Sequence, residues 1–424
     1  MLDMKWIREH PHEAQAAFAS RDPSIDLSPL LDLEKRRRDL ITQTEQLKAE
    51  QNQLGKEIQS RKKAGDSVEE LLNQVGKIKQ QVQESSALQK KEEEDFEELA
   101  LALPNIPHES VPRSLNKEDN EIVREWGKKP EFDFELKNHL EIGELLSLFD
   151  FERAAKIAGA GFPLYRGMGA RLEWALICYL VESNQAAGYE QIILPYLVNE
   201  ETGVTSGQLP KFAEDMYHIG ADGLYLIPTA EIALGGLHRD EIIPGDDLPL
   251  RYTSYSACFR REAGTYGTDE RGLIRTHQFN KTEIFCLVQP GDSYAELERL
   301  RAHAESLVES LGLHHRTTLL VSSDMAQGAA KTYDIEVWLP GQDRYYEVSS
   351  CSNCEAYQAR RGNIRFRGEK EGKPEFVHTL NGSALATSRL MIGILECNQQ
   401  TDGSVVVPDV LRPYLGGMER IEAQ

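Results

Sequence analysis

The sequence is short of cysteine, of aromatic residues and of long apolar runs, and each shortage removes a class of protein. Six cysteines in 424 residues are too few and too scattered for a disulfide framework. Cys178, Cys258, Cys286 and Cys397 stand alone in apolar or mixed surroundings and are expected to be small buried fillers. Cys351 and Cys354 form a CxxC, but no second CxxC or close histidine pair completes a zinc set, so no zinc is expected. No apolar run approaches the roughly 18 residues of a membrane span; Ala175 to Val181 is about as long as they come. The start, Met1 to Lys5, lacks the basic residues and apolar stretch of a secretion signal, so a cytoplasmic protein without membrane contact is expected. GxGxxG turns, Walker-type phosphate loops and internal repeats are missing as well. A nucleotide, if one is handled, must be held another way.

What is present fits a soluble chain of two or three domains, since 40% of residues are apolar and 28% charged. The net charge of −21 argues against a nucleic-acid partner, because a polyanion repels an acidic protein. The charge is uneven, however. Between Lys35 and Lys79 eleven Lys and Arg stand against seven Asp and Glu, a net of +4 that leaves −25 for the rest.

The same region reads as two long helices. Leu33, Leu40, Leu47 and Leu54 recur every seven residues and lead to Ile58. Val68, Leu71, Val75, Ile78 and Val82 follow a 3-4 alternation that resumes at Phe96, Leu99 and Leu103, past polar seam positions Ser85, Gln89 and Glu92. Residues 62–66 break the pattern, and Ser67 with Glu70 predicts a capping box opening the second helix. A short turn between long helices requires an antiparallel hairpin, here over about 27–103, and Pro104 ends it. Two readings compete: an oligomerisation coiled coil with solvated charges, or a basic outer arm that probes phosphates, with the acid run Glu92 to Glu98 at its base. The domain boundary is placed between 104 and 105. The remainder, 105–424, mixes helices with a majority of strands. Runs at 251–262, 273–288, 316–322, 333–339 and 344–349, a helix over Arg171 to Gln185 and a buried strand at Ile192 to Pro195 predict an α+β fold, an antiparallel sheet flanked by helices.

The segment most informative for chemistry runs from Tyr255 to Glu283. Residues two apart share a face of a strand. Arg260 and Glu262 are therefore expected to project together from one strand, and Arg275, His277, Phe279, Lys281 and Glu283 from the next. Gly264, Gly267 and Gly272 mark the connecting loop. Such a floor suits a purine on Phe279, phosphates on Arg260 and a polar cationic ligand near Glu283. The alternative is a solvent-exposed edge hairpin whose charges alternate for solubility.

Arg260, Glu262, the loop and Phe279 resemble motif 2 of the class II aminoacyl-tRNA synthetases. Leu380 to Ala386 followed by Arg389 resembles motif 3, and Gly188 to Pro195 resembles motif 1. Pro228 to Glu231, Glu347 to Cys354, Gln358 to Arg361, Asn381 to Ser383 and the helical hairpin together resemble the seryl-tRNA synthetase family over essentially the whole chain. The resemblance implies ATP-dependent activation of L-serine and transfer to tRNA(Ser), and to tRNA(Sec) where present, by a cytoplasmic homodimer of bacterial type. It implies that Arg260 bridges the α-phosphate and the serine carboxylate, that Phe279 stacks on adenine, and that Arg389 meets the γ-phosphate. Arg261, Glu262, Val348 and Ser349 join the ATP site, and Glu347 and Ser350 hold Mg2+. Thr229 and Glu231 receive the serine ammonium, Glu283 and Ser383 receive its hydroxyl, and Ala230 and Asn381 complete the serine site. Arg260, Glu283 and Arg389 are the expected catalytic set, and His277 has no role. The chain departs from the family at Arg261, usually a small residue, and at Thr268 and Glu270, where loop residues meet the tRNA acceptor end.

Overall fold

A computed structural model describes residues 1–263, 272–368 and 372–423. Gly264, Gly267, Thr268 and Glu270 lie outside the described residues. Two compact units are present: Asp3–Leu103, and Pro104–Gln424 with Met1–Leu2.

The first unit consists of helices Met4–Glu9, Pro11–Arg21, Ser28–Ala64 and Glu69–Ala102. The last two, of 37 and 34 residues, form the antiparallel hairpin. At about 1.5 Å per residue each is roughly 50 Å long. Gly65 makes the turn because its φ of +81° suits a residue without Cβ. The Thr44 and Ser85 hydroxyls meet at 2.7 Å in a buried polar layer, and Arg37 reaches Glu93 at 2.8 Å. That register sets Leu47 opposite Val82 and Leu54 opposite Val75.

Three expectations for this unit need correction. The capping box at Ser67 does not form: the N–H of Asp66 bonds Arg61 O at 3.0 Å, and the helix starts at Glu69 with Val68 as its cap residue. The turn geometry leaves Ser67 one residue too early. Leu99 is 41% exposed while Phe96 and Ala100 are buried, so the apolar stripe has moved off the expected phase. The cations at 35–38 are not in the outer arm. Arg36 pairs with Glu92 at 3.0 Å, Arg37 with Glu93, and Arg38 with the buried Glu34 at 2.9 Å, all at the end away from the turn. From Lys48 to Lys79 seven cations face five acids, so the outer excess is +2.

The second unit is built on an eight-stranded sheet ordered Glu121–Trp126, His315–Leu319, Lys331–Leu339, Arg344–Glu355, His378–Ala386, Gln278–Val288, Leu250–Phe259 and Glu190–Gln191. Every pairing is antiparallel except the last. The central strand Gln278–Val288 is apolar on both faces at its far end, and Ile284, Cys286 and Val288 enter one core while Phe285 and Leu287 enter another. Leu172, Leu176 and Leu180 of helix Met168–Ala186, Leu297 and Leu300 of helix Ser293–Ser310, and Leu390, Met391 and Ile394 of helix Thr387–Cys397 fill the first core. This is an α+β architecture, as the strand-rich pattern predicts.

Three further details differ. Ile192 to Pro195 is not a buried strand: pairing runs out after Gln191, the Ile192 N–H makes one last bond to Thr253 O at 2.9 Å, and Ile193 is 85% exposed. Only one neighbour borders that edge, and Pro195 has no N–H to donate. Cys178 is exposed and Cys397 half-buried, because the first lies on the outward side of its helix. The hairpin strands are shorter than expected. One ends at Phe259, and Glu262 has a φ of +52° that breaks the alternation with Arg260. The other starts at Gln278, so Arg275 and His277 precede it.

Helix Met168–Ala186 fits tightly at its first turn, where a Cβ on Gly169 would fall 2.2 Å from Leu148 O. Gly169→Ala is expected to lower unfolding free energy by about 1–3 kcal/mol, read from the denaturant midpoint at unchanged m-value.

Candidate active site

The strand alternation brings Phe279, Lys281 and Glu283 to one face of Gln278–Val288, above which a cleft of about 390 Å³ opens. Phe279 and Lys281 line it together with Thr229, Arg260, Glu262, Glu347, Val348, Ser383 and Arg389. Arg260 immediately follows the last hairpin pair, Phe259 with Gln278. Its guanidinium carbon lies 5.0 Å from the centre of the Phe279 ring, and Nε donates to Pro228 O at 3.4 Å. Aromatic face and cation thus form one platform. Glu262, although off the strand, holds Arg275 at 2.5 Å.

A polar pocket lies at one end of this floor. Thr229 caps helix Ala230–Gly235, its hydroxyl accepting from the Glu231 N–H at 3.2 Å. Lys281 Nζ donates to the same hydroxyl at 2.7 Å and to Glu283 Oε2 at 2.5 Å. Glu283 is 1% exposed, and Ser383 stands directly opposite it in the sheet register. Glu231 accepts from Gln358 Nε2 at 2.8 Å and from Asn381 Nδ2 at 3.1 Å. Burial, with the Glu283 charge behind it, pushes the Glu231 carboxyl up to about 7 against the pull of Lys281, the Gln358 amide and Arg260. Ala230 is buried and offers no side-chain polar atom. Glu231, Glu283 and Asn381 lie behind Thr229 and Lys281 rather than on the cleft wall.

At the other end, Arg389 Nη1 donates to Glu347 O at 2.5 Å and lies 3.8 Å from its carboxylate, while Nε reaches Ile274 O at 3.5 Å. A one-residue register slip puts Glu347 opposite Glu336 and Ser350 opposite Asp334. Glu336 and Asp334 are two apart on one strand, so their partners share a face as well. Ser350 faces Asp334 across the register, and Asp334 Oδ1 is shut from solvent without a partner. Burial, then the Glu347 charge, holds the Asp334 carboxyl well above the usual range. Among the described residues no group of three or more His, Cys, Asp or Glu side chains is arranged to hold a metal. The hydroxyl of Ser350 and the carboxylates of Glu347 and Asp334 are nevertheless the hard oxygen donors a Mg2+-like cation prefers.

Two expected residues are not brought in. Ser349 turns away, its hydroxyl donating to Ser383 O at 2.6 Å, and Arg261 is exposed off the cleft, its backbone N–H on Asp215 O at 2.9 Å. Lys281 and Asp334 belong to the site without a role in the sequence reading. Lys281 carries a readable signal, since it alternates with Phe279 and Glu283. Asp334, a buried acid in a strand that also carries Lys331, Thr332 and Glu336, carries a weaker one.

This sheet, with its hairpin floor and arginine-bearing helix, defines a class II aminoacyl-tRNA synthetase core. The profile of the tRNA synthetase class II core domain (G, H, P, S and T) matches residues 217–398, and that of the seryl-tRNA synthetase N-terminal domain matches residues 1–107. A serine–tRNA ligase from Nitratidesulfovibrio vulgaris is 48% identical over 100% of both chains. Among solved structures, the seryl-tRNA synthetase of Pyrococcus horikoshii complexed with ATP superposes with a TM-score of 0.95 at 36% identity, covering 100% of both chains. The cytoplasmic serine–tRNA ligase of Naegleria fowleri in complex with AMP gives 0.87 at 29% identity, over 100% of this chain and 99% of that one. The chain belongs to the seryl-tRNA synthetase family.

Lys281 neutralises a carboxylate in a nearly closed space, which makes it costly to remove. Lys281→Met is expected to destabilise the protein by about 3–5 kcal/mol near neutral pH. Denaturant titration of the two proteins at neutral pH, at unchanged m-value, checks this.

Proposed function

We propose that this chain is a serine–tRNA ligase that forms seryl-adenylate and passes the seryl group to tRNA. The observation that carries the reading is the order of groups along one cleft: a closed carboxylate pocket, then the Arg260–Phe279 platform, then Arg389 beside Glu347. An amino acid, the α-phosphate with adenine, and the outer phosphates would lie in that sequence.

In the first step the serine carboxylate attacks the α-phosphorus of ATP and pyrophosphate leaves. In the second a hydroxyl of the terminal adenosine of tRNA attacks the seryl carbonyl and AMP leaves. No protein nucleophile is needed. Arg260 holds the carboxylate against the α-phosphate, so orientation and charge supply the acceleration. Phe279 stacks on adenine, Glu262 helps to orient the nucleotide, and Arg389 takes the γ-phosphate. Glu347 and Ser350, with Asp334 behind them, would hold Mg2+, which lends positive charge to the phosphates when bound. Glu231, beside Thr229 and Ala230, receives the serine ammonium, and Glu283 with Ser383 and Asn381 receives the hydroxyl. A pocket built to bond a hydroxyl rejects alanine by roughly 10⁴-fold or more, and threonine is excluded by size.

The arm binds tRNA(Ser), and tRNA(Sec) where present, through backbone phosphates and shape. Its exposed Lys48, Lys56, Lys62, Lys63, Lys77 and Lys79 suit that task. The protein acts as a cytoplasmic homodimer, a reading supported by the exposed Trp174 (59%) and Ile193. No helix among the described residues is long and apolar enough to cross a membrane.

Purified protein is expected to catalyse serine-dependent ATP–pyrophosphate exchange, and Arg260→Ala to lose it by at least about 100-fold; exchange without serine, or unaffected by the substitution, overturns the assignment. The pairing of Thr44 with Ser85 indicates where to shorten the arm. Removing 45–84 is expected to leave exchange intact and abolish tRNA charging, and charging that survives refutes the role of the arm.

A further inference from the structure

Glu173 lies in the second turn of helix Met168–Ala186, 4% exposed, off the cleft wall and outside the roles assigned above. Its Oε1 accepts from Asn280 Nδ2 at 2.8 Å and is in hydrogen-bond contact with the Thr387 hydroxyl. The same Thr387 hydroxyl lies 3.1 Å from Asn280 O. Asn280 follows Phe279 in the hairpin strand, and Thr387 opens the helix that carries Arg389. The amide oxygen of Asn280 is held in turn by the Tyr255 hydroxyl at 3.1 Å. Glu173 Oε2 and the Tyr165 hydroxyl are both shut from solvent with no protein partner.

Hydrogen counting identifies the state of the carboxyl. Thr387 has one hydroxyl hydrogen but faces two acceptors, Glu173 Oε1 and Asn280 O. If Glu173 is ionised, one contact has no hydrogen. If Oε1 carries a proton, it donates to Thr387 Oγ1, and Thr387 donates onward to Asn280 O, which satisfies the chain. We propose that Glu173, in its protonated form, is a positioning residue for ATP, tying the strand of Phe279 to the helix of Arg389 and so setting the distance between the two side chains that hold adenine and the γ-phosphate. This inference rests on the ATP-site reading given above.

Burial supports it, pushing the carboxyl up to about 7 although its Thr387 and Asn280 contacts pull the other way. The titratable groups facing it are the hydroxyls of Tyr165 and Tyr255, and no charged side chain acts on it. The direction of the pH effect follows. Below about 7 the proton is present and the link intact. As pH rises through that value the carboxyl ionises, draws the Thr387 hydrogen to itself and releases Asn280 O, so ATP binding weakens with rising pH.

Equilibrium dialysis of labelled ATP with the full chain from pH 6 to 8.5, at fixed Mg2+, tests this. Glu173→Gln keeps the size and carries amide hydrogens but does not ionise. The ratio of wild-type to Glu173→Gln Kd for ATP is expected to climb above pH 7, by no more than about tenfold per pH unit, while the ratio for serine stays level. Glu173→Ala is expected to bind ATP more weakly than either at pH 6. Parallel ATP profiles for wild type and Glu173→Gln overturn the inference, and that comparison stands even if Glu173→Ala fails to fold. A wild type that binds ATP, with indistinguishable variants, sinks only the role of Glu173; a wild type that binds no ATP at any pH sinks the ATP-site reading and this inference together.

Discussion

The unbroken ten-pair register between Leu250–Phe259 and Gln278–Val288 is the constraint on which the rest of the cleft depends. It delivers Arg260 at the end of one strand beside Phe279 near the start of the next, and the alternation of the second strand then places Lys281 and Glu283 along the floor. A slip by one residue would send all three to the opposite face. His378–Ala386 pairs with the other edge of Gln278–Val288, bringing Ser383 opposite Glu283 and Asn381 within reach of Glu231. That strand runs directly into the helix of Arg389. A single ladder therefore positions residues drawn from more than 150 positions of sequence, from Thr229 to Arg389.

Electrostatics in this floor reconcile an acidic chain with polyanionic substrates. Arg275, Lys281 and Arg389 each stand beside a carboxylate, Glu262, Glu283 and Glu347 respectively. Among the described residues Arg260 pairs with no carboxylate; an aromatic face and a backbone carbonyl hold it instead. An arginine kept in place without neutralisation retains its charge for an incoming phosphate. In the arm the same logic sorts the cations differently. Arg36, Arg37 and Arg38 at the base are consumed by Glu92, Glu93 and Glu34, whereas the exposed lysines nearer the turn stay available to a distant anion.

Patterns that depend on local periodicity were legible in the sequence, and those that depend on where an element starts were not. The heptads of Leu33 to Leu54 and the alternation of Phe279, Lys281 and Glu283 survive because 3.5 and 2 are properties of the backbone. Ser67 fails as a cap because the Gly65 turn moves the next helix start by one residue. The burial of Ala100 in place of Leu99 is a phase drift across the polar stretch before Phe96. Ile192 to Pro195 looked buried because its residues are apolar, yet exposure at a sheet edge is decided by neighbours far away in sequence. The extra residue at Val348, which carries Ser350 round to the side of Glu347 and turns Ser349 away, has no sequence signature at all.

The joints of the cleft are made from polar side chains deprived of water, and their arrangement argues for geometry over stability. His139 and Glu396 are 2% and 0% exposed. His139 Nε2 accepts the Leu273 N–H at 3.3 Å, so the ring hydrogen must lie on Nδ1, 3.2 Å from Glu396 Oε1. Glu396 Oε2 in turn accepts the Gly341 N–H at 3.0 Å. This clamp fastens Leu273, in the segment leading to the hairpin strand, to the far end of the Arg389 helix. Gly272 accommodates it, with a φ of +71° and a site where any Cβ would lie 2.4 Å from His139 Nε2. Burying such groups rarely adds net stability, since apolar residues of equal volume pack as well without desolvation. What a satisfied network adds is direction: each donor fits one acceptor, and the strand and helix bearing Phe279 and Arg389 lock at one separation. A site that works by orientation, with no nucleophile of its own, needs that rigidity more than it needs the kilocalories.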